Sequence, residues 1–196
     1  GGEGAGKSTH SKRLAEYLHT LGHEVVVTRE PGGTPTAEKI RSILLDPEIT
    51  DMPDQTEALL FAASRADHAA NLIRPALARG ATVICDRYFD SSVAYQGFSR
   101  GLGPEKIREL SLWATGDLIP DFTIYLDVPH EAAEMRMDGT DRMEIQSRDF
   151  HEAVHQAFRD IAAASKYPNI VIDATAPKDE VAAAVRAAVD GVLAAR

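Results

Sequence analysis

The sequence predicts a three-layer α/β domain on a parallel sheet, and three observations predict it. Short apolar, β-branched runs alternate along the chain with segments of helical periodicity. The segments between the runs are long enough for the helical crossovers that parallel strands require. The runs are almost continuously apolar, as strands are when both faces of their sheet are covered.

Taken in order, residues 7–21 carry Leu14, Tyr17, Leu18 and Leu21 at helical spacing, and Gly22 follows as a stop signal. Residues 24–28 (EVVVT) form the first strand. Residues 37–45 form a short helix, and residues 55–79 a long one that Pro75 is expected to bend or break. Three further strands follow at 81–86 (ATVICD), 122–127 (FTIYLD) and 169–173 (NIVID). Helices are expected over about 104–115, 129–137, 148–166 and 178–195. The last has Val181, Val185, Val189 and Val192 on one face. Residues 138–149 are the one long charged and small-polar stretch between helices, which marks a candidate lid at about 137–149. One domain over residues 1–196 accommodates all of these elements.

Hydrophobic residues make up 44% of the chain and charged residues 26%, the balance of an ordinary globular domain. With 21 Lys+Arg against 30 Asp+Glu, the formal net charge is -9. A protein that grips a nucleic-acid backbone carries the opposite sign, so no nucleic-acid partner is expected. An anionic ligand has to be held by a local cluster of cations working against the global field. The single cysteine, Cys85, cannot close an internal disulfide and fits a small buried apolar residue of a strand. No apolar run approaches the roughly 18 residues of a membrane span. The chain opens on glycines, not on a charged-then-apolar leader. A cytoplasmic protein without membrane contact is the expectation.

Gly1-Gly2-Glu3-Gly4-Ala5-Gly6-Lys7-Ser8 satisfies G-x-x-x-x-G-K-[ST] at every fixed position, with Thr9 beside it. The glycines let the backbone wrap so that successive N–H groups point at phosphate oxygens, and the helix that follows adds its positive end. Lys7 reaches the β/γ-phosphates of ATP in such a loop, and the Ser8 hydroxyl ligates Mg²⁺. The fold class expected is therefore the three-layer P-loop NTPase fold. Its loop follows a strand, so an apolar strand upstream of Gly1 is expected as the first of five. No guanine-reading N-K-x-D element is present.

Thr28-Arg29-Glu30-Pro31-Gly32-Gly33 follows the 24–28 run, Asp86-Arg87-Tyr88 ends the 81–86 run, and Tyr95-Gln96-Gly97 comes soon after. With the EGAGKST loop, these closely resemble thymidylate kinase, and the resemblance runs from Gly1 to the final helix. Each element stands where a strand's carboxyl end opens into a loop, the place where open α/β sheets bind ligands. Phe61 and Arg65 are four apart and share a helix face, suiting stacking on a base and donation to its carbonyl, although Phe61 fits core packing as well. By resemblance, Phe61 stacks on thymine and Arg65 reaches its O4. Ser92 and Gln96 contact the base, Tyr95 packs near the sugar C2′, and Glu3 holds the 3′-hydroxyl. Arg41 and Arg87 clamp the acceptor phosphate, with Arg29, Glu30 and Pro31 beside it in the loop. Forked guanidinium groups suit that task. Asp86, at a strand end, is the preferred carboxylate for orienting Mg²⁺, with Asp127 its rival.

Some members of this family place a basic residue in the loop directly after the acidic one. That position is Gly4 here, so the resemblance is to the class whose catalytic arginine comes from the lid. Asp141-Arg142-Met143-Glu144 matches its D-R-x-E element, making Arg142 the first choice and Arg136 the second. The lid is shorter than the family pattern, with fewer arginines before that element. The resemblance implies transfer of the ATP γ-phosphate to dTMP with Mg²⁺, and a homodimer. A kinase for another pyrimidine monophosphate and a nucleotide-binding protein without turnover are the alternatives. His151-Glu152-Ala153-Val154-His155 also satisfies H-E-x-x-H, but no third zinc ligand follows at the required spacing. Lys7→Ala is expected to lower turnover by orders of magnitude while the far-ultraviolet circular dichroism spectrum stays unchanged.

Overall fold

The computed structural model describes residues 1–135 and 141–195. Four five-residue strands are found among them: β1 (Val25–Arg29), β2 (Thr82–Asp86), β3 (Thr123–Asp127) and β4 (Asn169–Asp173). Each lies within one residue of its apolar run. The helices are α1 (Lys7–Thr20), α2 (Pro35–Leu45), α3 (Asp54–His68), α4 (Arg74–Ala78), α5 (Phe89–Ser92), α6 (Pro104–Thr115), α7 (His130–Glu134), α8 (Arg148–Ala164) and α9 (Lys178–Ala194).

The three layers follow from the alternation of β3. Successive strand residues point to opposite faces of a sheet. Tyr125 packs with Val154, Phe158 and Ile161 of α8, whereas Ile124 and Leu126 pack with Leu14 and Leu18 of α1 and Val181 and Val185 of α9. Two apolar clusters thus cover the two faces.

Pairing is parallel throughout: β1 with β2, Val25 opposite Thr82, and β3 with β4, Thr123 opposite Asn169. The expected single five-stranded sheet is found as two separate pairs. A cavity of about 520 Å³ is lined by Val83, Ile84 and Cys85 of β2, by Ile124 and Leu126 of β3, and by Gly1.

Pro75 does not break its helix. α3 runs through a widened π-helical turn, Ala69–Ile73, into α4, with Pro75 in the first turn of α4. Proline has no N–H to donate, and the wider turn before it absorbs the misfit. α2 starts two residues earlier than its pattern suggests, because Pro35 suits a first helical position and the Thr34 side chain accepts the Ala37 N–H. A helical stretch with no strong sequence signal spans α5 and the π-helical turn Val93–Ser99. Its serines and glycine are poor helix formers, and packing against α6 and α8 overrides them. No described helix is long and apolar enough to cross a membrane.

Candidate functional site

The phosphate loop turns into α1 at Gly6, with φ of 80° there and 67° at Gly4. Side-chain-bearing residues rarely adopt such angles. A Cβ on Gly4 would also collide with the Ala133 carbonyl oxygen, so the loop has no room for a side chain there. Lys7 Nζ donates to the Gly2 carbonyl at 2.6 Å. Burial, with the nearby Arg87 charge, lowers the Lys7 ammonium to about 8. Ser8 Oγ donates to Asp86 Oδ2 at 2.7 Å, and Asp86 Oδ1 is buried with no partner among the described residues. A buried carboxylate oxygen in that state can accept from a cation's bound water, which fits a Mg²⁺ site at Ser8 and Asp86. The rival Asp127 is engaged, its Oδ1 lying 2.7 Å from His155 Nε2.

Arg87, directly after β2, has φ of 69°, a strained conformation for a residue with a side chain. Its guanidinium pairs with Glu3 at 2.7 Å and donates to the Tyr95 hydroxyl at 3.2 Å. Tyr95 in turn donates to Glu3 Oε1 at 3.3 Å. Burial alone would raise the Glu3 carboxyl, but Arg87 and Lys7 hold it down at about 2. Burial opposes the Arg87 charge too, and Glu3, Tyr95 and Asp86 keep that group above its ordinary value.

A second cavity, of about 90 Å³, opens beside this pair. Glu3, Glu30, Pro31, Arg41, Phe61, Arg65, Arg87, Ser92, Tyr95 and Gln96 all line it, together with Asp141 and Met143. Of the predicted acceptor set only Arg29 is absent, being engaged at the surface with Glu38 at 3.0 Å. Arg41 donates to the Pro31 carbonyl at 2.9 Å. Burial and the neighbouring Arg29 lower its pKa.

Arg65 is buried and fully directed. Its Nε donates to Glu30 at 2.7 Å, and its terminal nitrogens donate to Ser111 Oγ at 3.2 Å and Ser92 Oγ at 3.0 Å. Glu30 also meets His68 Nδ1 at 3.1 Å, and His68 Nε2 lies 2.7 Å from Thr28 Oγ1. Potential ligand atoms of Glu30, His68 and Cys85 fall within 4.8 Å of one another. Two facts argue against a metal there: Glu30 already neutralises Arg65, and burial pushes the Cys85 thiol up. The H-E-x-x-H pair is also separated in use, since His151 Nε2 lies 3.1 Å from the Glu144 carbonyl while His155 meets Asp127.

Arg142, the first choice for the catalytic arginine, is held by partners the sequence did not indicate. It is buried, its Nη2 pairs with Glu57 at 2.7 Å and its Nε donates to the Leu44 carbonyl at 2.8 Å. The carboxylate of Glu57 is 1% exposed, and the match to D-R-x-E could not reveal it as a partner. Arg142 here fastens the turn after residue 141 to α2 and α3. Arg136, the second choice, lies outside the described residues, as do residues 137–140 of the expected lid. Glu57 and Arg100 were not singled out from the sequence. A signal existed: Glu57 sits on one helical stripe with Phe61 and Arg65, and Arg100 is four residues beyond Gln96.

Two anion-binding regions share Glu3 and Arg87 at one strand end, one built for a polyphosphate and the other lined by a ring, an amide and arginines. That is the arrangement of a P-loop kinase acting on a nucleoside monophosphate. A family model described as thymidylate kinase matches residues 1–185. The thymidylate kinase of Clavibacter michiganensis subsp. michiganensis is 50% identical over 199 aligned residues, covering 100% of this chain and 94% of that protein. That of Pseudomonas fluorescens is 51% identical over 180 residues, covering 90% and 86%. That of Bifidobacterium longum subsp. infantis is 48% identical over 197 residues, covering 98% and 84%. The chain belongs to the thymidylate kinase family and is an ATP-dependent phosphotransferase.

Breaking the buried Arg142–Glu57 pair with Arg142→Ala is expected to destabilise the fold by about 3 kcal/mol in urea unfolding, the lower end for such pairs because Arg100 still faces Glu57. Glu3 has a folded pKa below its unfolded value near 4.5, so its contribution to stability is present above pH 4.5 and lost as pH falls towards about 2. A depression of that size is worth about 3 kcal/mol. Glu3→Gln should flatten the stability–pH curve in that window alone.

Proposed function

We propose that the chain transfers the γ-phosphate of ATP directly to dTMP, giving ADP and dTDP. The observation that carries this reading is the convergence of the acceptor residues, all but Arg29, on one cavity that shares Glu3 with the phosphate loop. In the reading, the loop amides and Lys7 grip the ATP phosphates. Lys7, lowered to about 8 by burial, regains full charge beside a polyphosphate. Ser8 and Asp86 would hold Mg²⁺, which would neutralise negative charge on the ATP phosphates. Glu3, ionised at any physiological pH, accepts from the sugar 3′-hydroxyl. Arg87, fixed by Glu3 and Tyr95, joins Arg41 on the acceptor phosphate. Phe61 stacks on the base while Arg65 and Gln96 meet its polar edge. Little covalent work remains for the protein, so positioning and charge neutralisation supply the catalysis. The lid, about 137–149 in a single kinase domain over residues 1–196, excludes the water that would waste ATP. Arg142 and, second, Arg136 are the candidates for the catalytic arginine, and Arg142 would exchange its pairing with Glu57 for the phosphoryl group.

The proposed sheet has five strands. β2 bonds only to β1 and β3 only to β4 among the described residues, so each has an edge turned to the 520 Å³ cavity. An apolar strand leading into Gly1 would lie between those edges. The enzyme is read as cytoplasmic and as a homodimer. Exposed Ile43, Leu59 and Trp113 on α2, α3 and α6 suit cover by a second copy.

The test is ADP release in Mg²⁺ from ATP with dTMP, dUMP, UMP, CMP, AMP and GMP in separate reactions. A strong dTMP signal with dUMP weaker is expected. Equal rates on all six, or background hydrolysis alone, would sink the assignment. A preference for UMP or dUMP would give the chain to another pyrimidine monophosphate.

A further inference from the structure

The Gln96 amide has one end committed and one left over. Its Nε2 donates to Glu57 Oε1 at 2.8 Å, whereas its Oε1 is buried with no partner among the described residues. Gln96 is 0% exposed and lines the 90 Å³ cavity. The orientation of an amide is decided by its neighbours, and here the neighbour is a carboxylate. Burial pushes the Glu57 carboxyl up, but the Gln96 bond and the charges of Arg100 and Arg142 hold it below the ordinary carboxylate range. An ionised carboxylate only accepts, so it must face the amide nitrogen and not the oxygen. Arg142 at 2.7 Å and the Arg100 Nη2 at 3.2 Å sit on Glu57 Oε2, while Oε1 takes the Gln96 amide at 2.8 Å with a longer bond from Arg100 Nε at 3.4 Å.

On the same cavity, Arg65 gives three of its five N–H groups to Glu30, Ser111 and Ser92. Donors remain on both terminal nitrogens. The cavity therefore offers a donor from Arg65 and an acceptor from Gln96. A thymine or uracil edge carries a carbonyl oxygen beside a ring N–H and complements that pair. A cytosine edge carries an amino group beside a bare ring nitrogen, the reverse pattern.

We propose that Glu57, with Arg142 and Arg100 behind it, is a positioning residue for base selection: it fixes which end of the Gln96 amide meets the base and so decides between thymine-like and cytosine-like edges. This rests on the reading of the cavity as the dTMP pocket. Arg142 thereby serves specificity as well as anchorage.

The experiment compares kcat/KM for dTMP and for 5-methyl-dCMP, which keeps the methyl group and exchanges donor and acceptor along the edge. The unmodified chain should prefer dTMP. Glu57→Gln, able to offer either a donor or an acceptor to the amide, should lower that preference about tenfold to a hundredfold. Gln96→Leu should lower it similarly, and the double variant no further, because Glu57 acts through Gln96. Equal loss on both substrates with the ratio intact is what a merely structural role would give, and it overturns the proposal. Additive losses in the double variant overturn it as well. Should Glu57→Gln fail to fold, Glu57→Asp keeps the charge one methylene short of the amide. It should lower the ratio less, and an unchanged ratio again counts against the proposal. No preference in the unmodified chain would defeat the dTMP-pocket reading itself, and so is distinguishable from a failure at Glu57 alone.

Discussion

Parallel strands deliver their carboxyl ends to one edge of a sheet, and here two adjacent residues at the end of β2 turn that constraint into a site. Asp86 reaches Ser8 at the start of α1, and Arg87 reaches Glu3 in the phosphate loop. The donor and acceptor regions are thus tied to one strand end by a hydrogen bond and an ion pair. The left-handed backbone at Arg87 is the local strain that goes with it. Moving β2 by a single residue would exchange which side chain meets the loop, so the register with β1 matters to the chemistry as much as to the fold.

The chain is acidic overall, yet its site is a concentration of cations. The two facts are compatible because four guanidinium groups set into the described structure each meet a carboxylate. Glu30 meets Arg65, Glu3 meets Arg87, and Glu57 meets Arg142 and Arg100. Pairs like these contribute little net stability once desolvation is counted. Their service is orientation: a guanidinium that is held along one edge can donate only from the others.

Much of this was legible in the sequence, and the limits have physical causes. The phosphate loop is a local pattern whose geometry is set by its own glycines, so its residues could be read one by one. The residues expected to hold the acceptor came through the resemblance, and those other than Arg29 line one cavity. Arg29 stands apart from it, because sequence marks where a charge is and not which partner reaches it first. Glu38, nine residues from Arg29, and Glu57, far from Arg142 in the chain, are partners that the sequence did not indicate. The 89–99 helical stretch was missed for the converse reason: its residues favour turns, and only packing against α6 and α8 makes them helical. The continuity through Pro75 required a widened turn that no residue pattern announces.

The hub at Glu57 also bears on how relatives should be compared. Glu57 itself does not line the cavity, yet it determines what Gln96 presents there. Two proteins could agree at every side chain that touches a guest and still differ in which guest they accept, if a carboxylate one layer back were replaced by an amide. Inventories of contact positions would score such a pair as equivalent. The information that separates them sits in the orientation of a side chain whose identity never changed.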